Sequence, residues 1–384
     1  MISAEKLEQA VRRGIISVDQ RDELLALDDD PDTGVIEAAR PATDEPLRLV
    51  GGGNDLFVTV GVVLLFAGLL FVLRSTIGTS TPVIAGMLGI LVWLVAEFVT
   101  RQRRMRLSST LLGLGFLGAA AKLVSVYLEG RIDPDSLRNP LQYAALRPQA
   151  GIWSAIFFGV IAAAAVIYFL RFRVPIMAAI LALCLTGFAF VSTTLFFYDS
   201  VTSGTVLLPT PDQIPDVIAR ALYVPLACGV IIFVTGVAFD LHDRERHTVW
   251  SDCAFWLHVI SAPLLVHPLF ILATGQEVVF GEIEPGMIAS IMLGMLFGGF
   301  VYVALAIDRR SLLVPTFAYF GSLGIYYLID GAANTTDIPP FALILLVIGG
   351  LIILFGAGWQ NMRRLIVGST LPTSVLSKLP PIKV

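Results

Sequence analysis

From Leu56 to Trp359 the chain alternates between long stretches in which nearly every residue is apolar and short junctions rich in charge, glycine and proline. Ten apolar stretches stand out, at residues 56–73, 82–100, 107–128, 151–170, 174–198, 217–239, 254–274, 286–307, 312–329 and 341–359. A helix needs about 20 apolar residues to cross a hydrocarbon core roughly 30 Å thick, and these stretches have that length. In lipid every backbone N–H and C=O must be satisfied within the segment, so each stretch is expected to be a helix. The pattern predicts an all-α integral membrane bundle of about ten transmembrane helices at 56–362, preceded by short helices at 1–27 and an acidic linker at 28–55, and followed by a tail at 363–384.

The junctions set an orientation. Arg101, Arg103, Arg104 and Arg106 follow the second stretch, Arg171 and Arg173 the fourth, Arg244 and Arg246 the sixth, Arg309 and Arg310 the eighth, and Arg363 and Arg364 the tenth. The alternate junctions carry few bases: only Arg74 follows the first stretch, and 199–216, 275–285 and 330–340 carry none; the longer 129–150 connection departs from this, with Arg131, Arg138 and Arg147 offset by Glu129, Asp133 and Asp135. Basic residues in short loops stay on the cytoplasmic side, so an even number of spans places both termini in the cytoplasm.

Composition agrees with this pattern. Hydrophobic residues make up 56% of the chain and charged ones 15%, outside the usual balance of soluble domains, and the mean hydropathy is +0.81. Residues 1–55 hold 13 acids and 6 bases, a net charge of −7, while the rest holds 17 acids and 20 bases. An acidic front end does not seek nucleic acid or anionic lipid. Met1–Val50 also lacks a basic segment followed by an apolar run, so the first span is expected to act as its own signal anchor. Cys184, Cys228 and Cys253 form no CxxC pair, which predicts neither a disulfide nor a zinc site, and no cofactor motif is present.

Within residues 1–27 the spacing predicts a helical hairpin. Ser3 caps a first helix with Leu7, Ala10 and Val11 on one face, Gly14 ends it, and Ser17 with Gln20 three residues on has the spacing of a capping box. So short a unit cannot bury a core of its own and is expected to dock on a protein partner or a second copy. The run Leu7-Glu8-Gln9-Ala10-Val11-Arg12-Arg13-Gly14-Ile15-Ile16-Ser17-Val18-Asp19-Gln20, followed by a glycine-bearing first span and an arginine-rich junction after the second, resembles a broad family of uncharacterised bacterial multi-spanning membrane proteins. The resemblance implies a bacterial inner-membrane location and carries over no catalytic residue.

Ionisable side chains at membrane depth each need a physical reason. Lys122 in the third stretch, Arg220 at the start of the sixth and His267 in the seventh all fall toward the outer face and are candidates for a solute-binding or proton-linked pocket; snorkelling and local hydrogen bonding are the alternative readings. The seventh stretch also carries Pro263 and Pro268, which remove backbone donors and predict a kink beside a cavity or a neighbouring helix. Glu97 is expected to meet the arginines at 101–106, and Asp240, His242, Asp243, Arg244, Glu245, Arg246 and His247 read as a mixed surface loop. Gly113, Gly115 and Gly118, and Gly294 with Gly298, have the spacing of close helix packing. No HExxH, Gly-x-Ser-x-Gly or phosphate-loop motif appears. These residues point to a non-enzymatic protein of one of two classes. One is an envelope-associated scaffold that recruits partners through its hairpin, and the other is a permease-like carrier of a small anionic or proton-coupled solute.

Overall fold

The computed structural model describes residues 53–78, 81–129, 131, 140–207, 210, 213–243, 246, 248–274, 287–313, 317, 340–376 and 379–380, together with isolated positions between 8 and 21. Contacts divide the chain into two units, Met1–Pro46 with Lys383–Val384, and Leu47–Ile382. In the first unit the expected capping box is present. The Ser17 backbone N–H donates to Gln20 Oε1 at 2.9 Å, and the Gln20 N–H donates to Ser17 Oγ at 3.1 Å. The rest of the hairpin, the linker from 28 to 50 and most of the ninth apolar stretch lie outside the described residues.

The second unit is all-α among its described residues. In chain order the helices are α1 (Gly53–Ile77), α2 (Thr81–Ala96) with a π-helical continuation (Glu97–Gln102), α3 (Arg106–Glu129), α4 (Pro140–Phe172), α5 (Ile176–Thr202), α6 (Ile214–Ala221), α7 (Tyr223–His242), α8 (Val249–Thr274), α9 (Met287–Ile307) with a 3-10 turn (Arg310–Leu312), α10 (Pro340–Thr370) and α11 (Thr373–Leu376). Seven helical segments are long and apolar enough to cross a membrane, and they coincide with the first seven stretches read from the sequence. The eighth and tenth stretches are helices as well, α9 and α10. The protein is therefore a multi-pass membrane protein. One expected connection is shorter than its spacing suggested: Pro140–Ala150, read as part of a loop, extends α4 to 33 residues.

Neighbours in sequence are mostly neighbours in space, α2 on α3, α3 on α4, α4 on α5, α7 on α8 and α9 on α10, with α5 joining the two halves through α7 and α8. Short junctions dictate this antiparallel order. Three of the arginine-bearing junctions turn on an arginine in left-handed backbone, Arg104, Arg173 and Arg246, and α9 ends on Asp308 in the same conformation, with φ between 52° and 60°. That conformation costs a non-glycine residue about 1–2 kcal/mol, so side-chain contacts must hold it.

The α1–α5 half packs around a ring cluster. Trp93, Phe116, Tyr168 and Phe172 meet with centroids 4.6 to 6.0 Å apart. Gly113 makes room for it, since a Cβ there would lie 2.6 Å from Met177 Cε and 3.1 Å from the Tyr168 ring. Helix α8 lies at the centre of the other half, with half of its apolar stretch buried, whereas α1 is mostly exposed. It continues as a helix through Pro263 and Pro268. Pro268 frees the carbonyl of Leu264 from its helical partner, and α7 approaches that carbonyl closely at Gly229, where a Cβ would stand 3.1 Å from the oxygen. A glycine is needed there for the backbones to meet.

Candidate functional site

Two features collect the polar chemistry of the bundle: a charged clamp at its arginine-bearing end and an apolar cavity with cations at the opposite end.

The clamp begins with Asp240, two residues before the end of α7. The Arg309 guanidinium faces it with both nitrogens, Nε at 3.0 Å from Oδ2 and Nη2 in contact with Oδ1. His258 Nε2 of α8 lies 2.9 Å from Oδ2. The same Arg309 Nη2 donates to Ser251 O at 3.0 Å and Oγ at 3.1 Å. A carboxylate ion-paired to arginine can only accept, so His258 donates from Nε2. Its Nδ1 is buried without a hydrogen-bond partner among the described residues and faces Gly236, where a Cβ would come within 3.2 Å of it. Asp240, His258, Arg309 and Ser251 are all buried. The reading of Asp240, Asp243 and Arg246 as a solvated loop is thereby corrected: Asp240 and Asp243 are buried, and Arg246 reaches across to α9.

A second group closes the end of α9. There the Asp308 carboxylate accepts from Trp359 Nε1 at 2.7 Å and pairs with Arg246 at 3.6 Å and Arg363 at 3.7 Å. Arg246 Nη2 donates to the carbonyls of Ile307 at 3.2 Å and Asp308 at 2.9 Å, and Arg363 Nε donates to Leu305 O at 2.9 Å. The last carbonyls of a helix lack intrahelical donors and carry partial negative charge, so two guanidiniums at this end satisfy bonds and dipole together. Arg363, beyond the apolar part of α10, is completely buried. Burial draws its guanidinium below the usual arginine value, with the Asp308 charge opposing that and Arg246 adding to it.

At the same end of the α1–α3 group, Asp55 in the first turn of α1 caps α3 from a distance. Its carboxylate accepts from the backbone N–H groups of Arg106 (3.1 Å), Leu107 (2.8 Å) and Ser108 (3.1 Å), and from Ser108 Oγ at 2.7 Å. Thr59 Oγ1 and Ser108 Oγ lie 2.9 Å apart. The first turns of α1 and α3 are thus bolted at one level, and both helices run from there in the same direction. Glu97 meets Arg101 at 3.4 Å as expected, but its closer partner is Arg171 of α4, which donates from Nε and Nη2 at 2.8 Å each.

Beyond the bolt, α1 leaves a cavity of about 890 Å³ between itself, α2 and α3. Its walls follow helical periodicity: Val62, Phe66 and Leu70 from α1, Ile84 and Leu88 from α2, Leu111 and Gly115 from α3, ending at Arg74 and Lys122. Gly118 lines it too, and a Cβ there would meet no atom within 4 Å among the described residues. Lys122 is half exposed and its ammonium lies 3.6 Å from Glu129.

Of the residues singled out from the sequence, Lys122 therefore lines a cavity, and its cationic companion there is Arg74. His267 and Arg220, on α8 and α6, are exposed and are not among the cavity's lining residues. Pro263 is exposed and Pro268 buried in α8. Of the glycines, Gly113 packs tightly, Gly115 is in ordinary contact with Val92, and Gly294 and Gly298 meet nothing within 4 Å among the described residues. Sequence reading missed Asp55, Arg74, Asp240, Arg309 and Arg363 as members of sites, and for His258, one of the ionisable residues at membrane depth in the seventh stretch, it missed the Asp240 partner. The signals available were the isolated carboxylate at the start of a span, Asp55, and the histidine within an apolar stretch, His258. Searches with the chain match no family model, no curated protein and no solved structure.

Proposed function

We propose that this multi-pass membrane protein is a non-enzymatic, permease-like binder of an anionic molecule, which it holds in the cavity between α1, α2 and α3. One observation carries the reading: a cavity within the size range of small-molecule sites, about 300–1,000 Å³, has both Arg74 and Lys122 in its lining and no carboxylate among the described lining residues. Supporting it, the buried carboxylates Asp55, Asp240, Asp243 and Asp308 are engaged by backbone donors, a hydroxyl or guanidinium groups, which leaves them committed to structure rather than to acid–base chemistry. The buried ion pairs gather at the arginine-bearing end, while α1, the least buried of the spanning segments, borders the cavity. Purified protein screened against soluble and amphiphilic anions should gain thermal stability with at least one of them, and Arg74→Ala with Lys122→Ala should remove the gain. If no anion of either kind shifts the melting point, the reading fails.

The scaffold reading retains one favourable observation, the Ser17–Gln20 capping box, which starts a helix where a recruiting hairpin requires one. Deleting residues 1–27 would then abolish partner recruitment while the spans still insert.

A further inference from the structure

Resting on the anion-binding reading, we infer that the occupant of the α1–α3 cavity is a single anionic lipid, with one acyl chain along the cavity and its headgroup at Arg74 and Lys122. The dimensions and the distribution of charge along the cavity point to a lipid rather than a free anion. From Val62 to Arg74 the α1 wall rises about 18 Å, and from Leu111 to Lys122 the α3 wall rises about 16 Å, at the helical rise per residue. One leaflet of a bilayer contributes roughly 15 Å of hydrocarbon, half of its core. The cavity is therefore about one leaflet deep, and its two cations stand where the headgroups of that leaflet begin.

Among the described lining residues, those below the cations are apolar or small, apart from Thr81. A hydrated inorganic anion gains nothing from such walls and would leave most of the volume unfilled, whereas a hydrocarbon chain fills it without desolvating a polar group. Among the described residues, the side-chain hydrogen bonds that join helix α1 to another helix lie at the bolted end, through Asp55 and Thr59, and α1 is the least buried of the seven spanning segments. A chain can enter laterally beside it. Arg74 and Lys122 are both exposed, and their long stems reach the headgroup layer while the chain stays below. The Lys122–Glu129 pair is solvent-exposed on both sides, so it competes only weakly with a phosphate that both cations can reach.

The test reconstitutes the full chain in nanodiscs or detergent and measures retention of phosphatidylglycerol, phosphatidylcholine and inorganic phosphate by native mass spectrometry, alongside the melting point. Two basic residues at a membrane surface favour an anionic lipid by about thirty-fold, so phosphatidylglycerol should be retained over phosphatidylcholine by roughly that factor. Arg74→Gln with Lys122→Gln should bring the two lipids level. Gly118→Phe should fold, since its position is open and glycine is a poor helix former, and should lose both lipids by filling the cavity. Equal retention of the two lipids by the unsubstituted protein would overturn the inference, as would undiminished retention in Gly118→Phe. Stabilisation by inorganic phosphate that depends on Arg74 and Lys122, without lipid preference, would overturn it while leaving the anion-binding reading intact. No response to any anion would end both.

Discussion

Replacing Asp240 by leucine tests the clamp directly, because it strands a guanidinium and an imidazole together. Arg309 is 3% exposed and His258 fully buried, so neither can turn to water for a substitute partner. Breaking a buried ion pair from one side costs about 3–5 kcal/mol, chiefly because the surviving charge stays desolvated. Arg309 keeps its two bonds to Ser251, which places the expected loss near the lower end, about 3 kcal/mol. Removing both charges, as Asp240→Leu with Arg309→Met, eliminates the stranded cation and leaves the His258 N–H as the remaining unsatisfied donor, for about 1–3 kcal/mol. The double variant should consequently be no less stable than Asp240→Leu alone, and the two single losses should exceed the double by at least about 2 kcal/mol, the scale expected of contacting groups in one network. Unfolding would be followed in detergent by denaturant titration, with thermal scans at one fixed rate because such unfolding is often irreversible. Single losses below about 1 kcal/mol, or additivity within about 0.5 kcal/mol, would refute the view that these groups act as one buried unit.

Asp55→Ala should destabilise the chain by about 2 kcal/mol, more than an ordinary helix cap, because three backbone donors of α3 and a hydroxyl lose their acceptor at a buried site; thermal scans should show Asp55→Asn in between. Gly236→Ala should lower the melting point, since the added Cβ would lie 2.9 Å from the His258 ring, a crowding cost of about 1–3 kcal/mol that outweighs the helix-propensity gain. Gly118→Ala should instead raise it, with a gain of up to about 1 kcal/mol of stability, because nothing among the described residues lies within 4 Å of the new methyl group. Glu97→Gln breaks a pair that is partly open to solvent and should change stability by no more than about 1 kcal/mol, with the difference shrinking further at high salt.

The spans were legible because their cause is local. Lipid thickness and the helical rise fix how many apolar residues a crossing needs, and each stretch carries that information by itself; the Ser17–Gln20 box and the freed carbonyl before Pro268 are equally short-range. Where the arginines sit was another matter. Arg309 and Arg363 read as ordinary members of interfacial basic clusters, and their neighbours Arg310 and Arg364 share the same local pattern. Nothing adjacent in sequence tells that Arg309 closes on Asp240, 69 residues earlier, or that Arg363 closes on the end of α9. Lys122 shows the same limit from the other side: its depth in the third span could be counted, but its companion proved to be Arg74 because α1 and α3 are bolted at Asp55 and run in the same direction.

The amino-acid order alone determined that this chain crosses a bilayer many times as helices, since backbone hydrogen bonding in hydrocarbon leaves a segment of that length no other state. Only the tertiary arrangement decided which charges are buried and which are wet, because an ion's cost depends on the helix ends that converge around it and not on the residues beside it in the chain. It also decided where the bundle stays open, as the space between three helices belongs to none of them singly.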